Sequence, residues 1–288
     1  MVRCKCLTFF LLDCDVNGRI KCTDGNWKGL AFKIPRTTLK ISKDIKELNY
    51  SGVYFLFGKD DQTDQNVVYI GQAGARENGR AVLNRLEEHN VGKDFWNEAI
   101  VITTVDHSLG ATELSYLESR FYEIAKEANR YDVKNEQKPT KGNTTDAIQS
   151  VLEDFIDYSK IVVGTLGHKV FEPLDDGIGI SNERIELLCT RNGASARAVR
   201  TSDGFVVKKG SLISQNLTPS CPQYSIELRE KYRSIIIDNK ITEDILFNTP
   251  SGAACFVSGS SANGYKEWKT EDGRTLKQID AEIGSIST

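Results

Sequence analysis

Two short apolar runs in the first half of the chain have the composition of β-strands. Residues 52–56 and residues 68–71 are rich in valine, isoleucine, phenylalanine and tyrosine, and polar residues 59–66 separate them. Runs of this kind on either side of a polar turn predict two strands of an antiparallel hairpin. Each run also contains a glycine, Gly52 or Gly71, which indicates that the backbone comes close to another group there.

Two segments after this hairpin have helical periodicity. In residues 80–90, Val82 and Leu86 form an apolar pair four residues apart, which is the spacing of neighbours on one helix face. A second helix, predicted from Thr112 as its N-cap to Ala128, carries a longer apolar stripe. The stripe consists of Leu114, Leu117, Phe121, Ile124 and Ala128.

Further strands and helices are predicted on both sides of these elements. Residues 2–12 and 27–35 read as two strands joined through a turn at residues 16–19, and residues 99–105 read as a strand that follows Trp96. Trp96 is predicted to anchor a core, because an apolar strand follows it. Short helices are predicted at residues 43–48 and 148–161.

The chain divides into four predicted regions. Polar residues 136–150 contain Pro139 and Gly142 and predict a linker, and residues 174–179 predict a second break. We therefore expect an N-terminal β extension at residues 1–48, a first α+β domain at 49–141, a linker with a connecting helix at 142–182, and a smaller α+β domain at 183–288.

Composition places the chain among water-soluble globular proteins. Its 288 residues are 39% apolar and 27% charged, and the net charge is -3. A chain with this charge lacks the overall basic character of a strong non-specific nucleic-acid binder, although a local basic patch is compatible with it. No stretch approaches the length of a membrane-spanning helix, so no membrane partner is expected.

Cysteine usage favours a reducing compartment. The seven cysteines are an odd number in a long chain, and four of them fall within the first 22 residues without CxxC spacing. Thiols packed on strands are a better interpretation than a zinc site or a disulfide framework. The apolar run at residues 7–12 is too short for a secretory signal and is predicted as a buried strand. We expect a cytoplasmic location.

Six polar or aromatic residues follow one another on the predicted elements in a recognisable order. Gly52-Val53-Tyr54 and Tyr69-Ile70-Gly71 are two tripeptides, one on each strand of the predicted hairpin. Arg85, His89, Glu118 and Asn135 follow them. With these residues the chain resembles the GIY-YIG endonuclease family over about residues 50–140.

The resemblance implies a small antiparallel sheet flanked by helices, and a DNA endonuclease that uses Mg2+ or Mn2+. It implies a catalytic set consisting of Tyr54, Tyr69, Arg85, His89, Glu118 and Asn135. Glu118 would hold the metal, since Mg2+ keeps most of its waters and needs few protein ligands. Arg85 would bind phosphate oxygens, and a tyrosine would accept a proton from the attacking water.

Several roles stay open from the sequence. The resemblance does not decide whether Tyr54 or Tyr69 is the base. Gly71, Arg76 and Arg80 are candidate substrate contacts, because glycines allow close approach and arginines bind phosphate, although a solvated loop explains the two arginines equally well. Gln72 departs from the family pattern, in which many relatives carry lysine after the second tripeptide. That difference removes a positive charge.

The second domain resembles an uncharacterised domain that often follows GIY-YIG domains. The similarity lies in residues 203–207, 247–254 and 260–268. Trp268 and Tyr265 are expected to anchor its core rather than to stack on bases. This domain would select the DNA or a protein partner, with phage defence or mobile-element processing as settings suggested by analogy. The alternative is a non-catalytic module that keeps the fold and binds nucleic acid or protein.

Overall fold

The computed structural model describes residues 4–74, 81–174 and 185–286. The chain forms two compact units, Met1–Pro173 and Leu174–Thr288, and both combine helices with sheets in α+β folds. In the described residues, none of the helices has the length and apolar character needed to cross a bilayer.

One seven-stranded sheet organises the first unit. Its strands are β1 (Leu7–Leu11), β2 (Ile20–Asp24), β3 (Gly29–Pro35), β4 (Gly52–Lys59), β5 (Asn66–Ala73), β6 (Trp96–Thr104) and β7 (Asp132–Val133). Their order across the sheet is β1-β2-β3-β6-β4-β5-β7. Neighbouring strands are antiparallel, except that β5 and β7 are parallel. The strand β4 therefore lies inside the sheet, with both of its edges paired.

Helices cover both faces of this sheet. The three helices are α1 (Val82–Gly92), α2 (Ala111–Ala128) and α3 (Asp146–Thr165). The helices α2 and α3 pack on one face with Val53 and Phe55, and α1 packs on the other face with Tyr54 and Leu56. Side chains alternate between the faces along a strand, so a central strand covered on both sides needs apolar residues at nearly every position. The β4 sequence GVYFLFG meets this requirement.

The hairpin and the two periodic helices agree with the sequence-based predictions, and other elements correct them. The strands β4 and β5 pair in antiparallel register from Gly52 with Ala73 to Lys59 with Asn66. The sequence reading missed β2, because IKCTD alternates over only five residues. Residues 43–48 form parts of two 3-10 turns instead of one helix. The N-cap of α2 is Gly110, so the prediction of Thr112 as the cap was wrong.

The segment predicted as a connecting helix contributes to the core of the first unit. In α3, Leu152, Phe155 and Ile156 are buried with α2 and the sheet. The strands of the predicted N-terminal extension belong to the same sheet as the hairpin. The expected boundary near residue 183 lies outside the described residues.

The second unit has its own sheet and core. Its strands are β8 (Glu186–Cys189), β9 (Ala196–Thr201), β10 (Gly204–Val207), β11 (Ile236–Ile237), β12 (Lys240–Ile241) and β13 (Ile245–Phe247). The four-stranded sheet has the order β13-β10-β9-β8, and β11 pairs with β12. The helices are α4 (Gln223–Lys231), α5 (Pro250–Ser258), α6 (Gly264–Glu267) and α7 (Leu276–Ile286).

Trp268 anchors the core of the second unit, as the sequence suggested. Its side chain is fully buried against the ring of Phe205, and its indole N–H donates a hydrogen bond of 2.9 Å to the carbonyl of Pro250. Tyr265 instead leaves a large part of its ring exposed, so its assignment to the core was wrong.

Burial of β4 leads to a stability prediction with a matched control. Val53 is 0% exposed and Val91 is 92% exposed. We expect Val53→Ala to lower the free energy of unfolding by about 2 kcal/mol, because it removes two buried methyl groups and leaves a cavity. Val91→Ala removes the same atoms from the surface and should change stability by a few tenths of a kcal/mol at most. Chemical denaturation of both variants measures the difference, and equal losses would contradict the described burial.

Candidate active site

The two predicted tyrosines lie on the same face of the β4–β5 hairpin. Tyr54 is paired with Gly71, and Tyr69 is paired with Leu56 two positions along. Because side chains alternate along a strand, this register puts both phenols on the face covered by α1. The ring centroids are 6.3 Å apart, and the planes are tilted by 29°.

Gly71 makes this arrangement possible. A Cβ atom at position 71 would fall within the van der Waals radii of the Tyr54 ring and hydroxyl. The ring of Tyr54 therefore lies directly across the backbone of β5. A Cβ at Gly52 would similarly come within 2.6 Å of the carbonyl oxygen of Ile102 on β6. Both glycines of the tripeptides thus have a packing reason in this structure, which is the close approach that their positions in the strands predict.

The helix α1 brings two further predicted residues to the tyrosines. Arg85 and His89 lie four residues apart, so they project from the same side of the helix. The Nε2 atom of His89 is 2.8 Å from the hydroxyl oxygen of Tyr54, and the His89 ring packs edge-on against Tyr69 with a centroid distance of 5.1 Å. These contacts put a phenol, an imidazole and a second phenol in one cluster.

Burial keeps the cluster neutral. Burial strongly raises the pKa of Tyr54, and the guanidinium of Arg85 only partly opposes this shift. Burial, together with the charges of Arg85 and Lys93, lowers the pKa of His89 to about 4. At neutral pH the Tyr54 hydroxyl is therefore protonated and the His89 ring is neutral, and the His89 tautomer sets which of the two atoms donates in their hydrogen bond. Trp96 fixes the same end of α1 by donating from its indole nitrogen to the His89 carbonyl at 3.3 Å.

Arg85 lies at the solvent side of this cluster. Its guanidinium is part-exposed and forms an ion pair of 2.7 Å with Glu88, which raises the pKa of Arg85. Its positive charge also lowers the pKa of Tyr69, although burial raises that pKa more. Arg85 therefore supplies a permanent positive charge beside both phenols.

Lys93 is a second cation at the site, and the sequence reading missed it. Its Nζ atom lies 4.4 Å from the centroid of the Tyr69 ring, a cation–π geometry. Lys93 follows the last residue of α1, only four positions after His89. The sequence contained one indication of this role: Lys93 continues the four-residue spacing of Arg85 and His89 by one more helical turn.

Asn135 completes the outer edge of β5. The strand β7 pairs with Val67 and Val68 of β5, and within the described part of the chain no strand pairs with the following residues of β5 on that side. The Asn135 side chain accepts from the N–H of Ile70 at 3.0 Å and donates to its carbonyl at 2.7 Å. It thereby holds the backbone between Tyr69 and Gly71 in place.

Glu118 lies further along the same edge. The Gln72 side-chain amide donates to Oε2 of Glu118 at 2.9 Å and to the hydroxyl of Ser115 at 3.2 Å. Burial raises the pKa of Glu118, while hydrogen bonds from the side chain and backbone of Gln72 partly lower it. The charge of Glu118 raises the pKa of both Tyr54 and Tyr69, and the charge of Arg85 acts on Glu118. Glu118 is thus held at the edge of β5 by Gln72, the residue that follows Gly71 in the strand.

The structure therefore groups four predicted side chains, Tyr54, Tyr69, Arg85 and His89, on one face of the hairpin. Glu118 and Asn135 lie along the adjoining edge, and Gly71 lies beneath Tyr54. Arg76 and Arg80 lie outside the described residues. Among the residues that the structure describes, no group of three or more His, Cys, Asp or Glu side chains could hold a metal ion. Any metal at this site would thus depend on Glu118, water and the substrate for its ligands.

Substitution of Gly71 tests the packing of the Tyr54 ring. We expect Gly71→Ala to lower the free energy of unfolding by about 1–3 kcal/mol, because the added methyl forces the fully buried ring to move. Gly92→Ala is the control, since a Cβ there meets no atom within 4 Å. Chemical denaturation compares the two variants, and a neutral effect of Gly71→Ala would contradict the crossing of the ring over β5.

The low pKa of His89 predicts a pH-dependent stability. A histidine has a pKa near 6.5 when unfolded and His89 has about 4 when folded, so folding favours its neutral form. Its contribution is complete above pH 6.5 and is lost as the pH falls from about 6.5 to about 4, to a limit of about 3 kcal/mol. The stability of a His89→Gln variant should fall less across this range.

Denaturation curves of wild type and His89→Gln between these pH values measure the difference, and carboxylates common to both proteins cancel. The chain has only three histidines, so the variant also identifies the His89 signal in an NMR titration. A His89 midpoint near 6.5 would contradict the described burial.

Comparison with known proteins identifies only part of the chain. Residues 187–280, about one third of the sequence, match a family described as a domain of unknown function, DUF4357. This match supports the prediction of an uncharacterised domain in the C-terminal part. No GIY-YIG family model matches the chain. No curated protein and no solved structure matches it.

Proposed function

We propose that the first unit is a metal-dependent endonuclease of GIY-YIG type that hydrolyses DNA phosphodiester bonds. The observation that carries this proposal is the joint placement of Tyr54, Tyr69, Arg85 and His89, with the charge of Glu118 acting on both phenols. Each of these residues is common in ordinary packing. These side chains meet at one end of the hairpin, and two of them are the tyrosines of the two tripeptides. That convergence supports the proposal of an active site.

The charges around the phenols suit a phosphate group. Arg85 is a planar cation that binds two oxygens of a phosphate at once, and Lys93 adds a second positive charge beside Tyr69. Gln72, where many GIY-YIG relatives carry lysine, turns instead toward Glu118. Lys93 thus provides a positive charge beside Tyr69, although Gln72 supplies none and the sequence pattern did not single out Lys93. The overall charge of -3 does not prevent local phosphate binding of this kind.

We assign the proton acceptor to Tyr69 rather than Tyr54. Tyr54 is fully buried, and its hydroxyl is held by His89. Tyr69 is only half-buried, so a water molecule can reach it. Tyr69 would accept a proton as its phenolate: Arg85 lowers the pKa of Tyr69 against the larger effect of burial, and a cation bound with the substrate would lower it further and release the phenol proton to solvent before water attacks. Tyr54 and His89 would then orient Tyr69 through their ring contacts.

Glu118 fits the requirements of a magnesium ligand. Its carboxylate is half-buried at the sheet edge, and Gln72 holds one of its oxygens. Mg2+ takes oxygen ligands, keeps several waters, and often uses only one or two carboxylates together with substrate phosphate. When bound, the ion would neutralise charge on the phosphate and on the departing oxygen. Asn135 would keep the strand that carries Tyr69 in position.

The second unit would direct the nuclease to its DNA or to a protein partner. Its indole, Trp268, is committed to the core, so stacking on bases through this residue is not proposed. A non-catalytic binding module remains the second candidate function, and the near-neutral net charge of -3 is the observation that favours it. Catalysis and binding make different predictions for Glu118, because a binding module gains nothing from a half-buried carboxylate near a phosphate.

A cleavage assay tests the proposed function directly. We expect the purified chain to nick or cut plasmid DNA with Mg2+ or Mn2+, and to stop when the metal is chelated. Glu118→Gln keeps the size of the side chain and removes its charge, so it should lower the cleavage rate by about a hundredfold or more. Gel electrophoresis of plasmid, linear duplex, single-stranded DNA and RNA measures both activity and substrate preference.

Glu127→Gln is the matched control, because Glu127 lies on the same helix and is exposed. It should cleave as wild type does. DNA binding without cleavage, equally strong in wild type and in both variants, would favour the binding module. Cleavage that persists undiminished in Glu118→Gln would exclude the proposed metal role of Glu118.

A further inference from the structure

The strand β1 presents an unusually apolar sheet edge. Its sequence is LTFFL, and among the residues that the structure describes it pairs on one side only, with β2. Phe9, Phe10 and Leu11 are exposed, with 64% of the Phe10 surface accessible, so the prediction of a buried strand at residues 7–12 was wrong. Edge strands in soluble proteins are usually protected by charged side chains, prolines or bulges, because a bare edge invites another strand to pair. In β1, neither a charge nor a proline interrupts the five residues.

The free edge also offers backbone hydrogen-bonding groups. The N–H of Leu12 donates to the carbonyl of Arg19 at 2.9 Å, and antiparallel ladders alternate bonded and non-bonded pairs. The backbone groups of Thr8 and Phe10 therefore point toward β2. Those of Leu7, Phe9 and Leu11 point outward. The Leu11 carbonyl accepts a long bond of 3.4 Å from Cys14, which leaves its second lone pair available.

We propose that β1 is a homodimerisation edge that pairs antiparallel with β1 of a second copy of this chain. With Phe9 on the two-fold axis, Phe9 faces Phe9 of the partner copy, and Leu7 faces Leu11. All outward backbone groups of the three residues then find partners in this register. The two seven-stranded sheets become one continuous sheet across the axis.

Charge complementarity favours a second copy as the occupant. Antiparallel pairing brings the Lys5 end of one β1 next to the Asp13 end of the other, where Asp13 lies in the turn after the strand. Asp13 and Asp44 both pair with the single guanidinium of Arg19, so this cluster carries one excess negative charge. Lys5 lies over the ring of Tyr158 at 3.4 Å, and its ammonium group brings a positive charge to the edge. When a strand has a positive charge at one end and a negative charge at the other, two antiparallel copies place opposite charges next to each other at both ends.

The mass of the full chain in solution tests the dimer. Light scattering after size exclusion should give twice the chain mass of 32.1 kDa for wild type at high concentration. Phe9→Lys puts two like charges opposite each other on the axis, so its dissociation constant should rise at least about tenfold and the mass should fall toward that of one chain. Val151→Lys, a charge at another exposed apolar position, should remain dimeric.

Disulfide trapping tests the register independently of any folding defect in Phe9→Lys. In a background with exposed Cys4, Cys6 and Cys14 changed to serine, Phe9→Cys should give covalent dimers on mild oxidation. Bonded antiparallel pairs have Cα atoms about 5.5 Å apart, which is within disulfide range. Thr8→Cys is the control, since Thr8 faces Phe10 of the other copy and should cross-link several-fold less.

A wild-type mass of one chain at all concentrations, or a dimer that Phe9→Lys does not weaken, would overturn the proposal. Equal cross-linking at positions 8 and 9 would overturn the register. Circular dichroism of every variant checks that each one folds.

Discussion

The passage of the Tyr54 ring across the backbone at Gly71 is the contact on which the candidate site depends. It is possible only because β4 is central in the sheet and β5 is paired to it in one register. A slip of β4 by one residue would turn Tyr54 away from Tyr69 and toward α2, and would place Val53 and Phe55 against α1. The buried apolar faces of β4 prevent this slip, because both cores would lose their packing. The core therefore sets the positions of the polar groups.

The charge of each group in the candidate site follows from how deeply its side chain is buried. Tyr54 and His89 are buried, and both remain neutral at physiological pH, since desolvation penalises the charged form of each. The permanent charges lie toward solvent, with Arg85 and Lys93 on one side and Glu118 at the strand edge. A neutral interior with cations at its rim is the arrangement expected of a site that receives an anion from solution. This distribution agrees with the proposed phosphate substrate.

The two sides of the seven-stranded sheet differ in how their backbone hydrogen-bonding groups are satisfied. Along β5, the backbone groups at Val68, Ile70 and Gln72 are satisfied in turn by β7, by Asn135 and by Glu118. Two residues of the candidate site, Asn135 and Glu118, therefore also complete a sheet edge, which links their presence to the stability of the hairpin. The opposite edge, β1, has no such cover in the described residues and carries exposed aromatic rings. In the proposed dimer, β1 of the second copy supplies the hydrogen-bond partners for the β1 backbone, as side chains do along β5.

The sequence by itself determined the local elements of the first unit. Continuous apolar runs predicted β4 and β5, and helical periodicity predicted α1 and α2, since those signals depend only on neighbouring residues. It could not show that α3 joins the first core, that IKCTD pairs as β2, or that Lys93 lies against Tyr69. These depend on contacts between distant segments. The tertiary structure alone decided that Asn135 binds the Ile70 backbone and that Gln72 holds Glu118, because a side chain's partner is fixed by packing and not by its position in the chain.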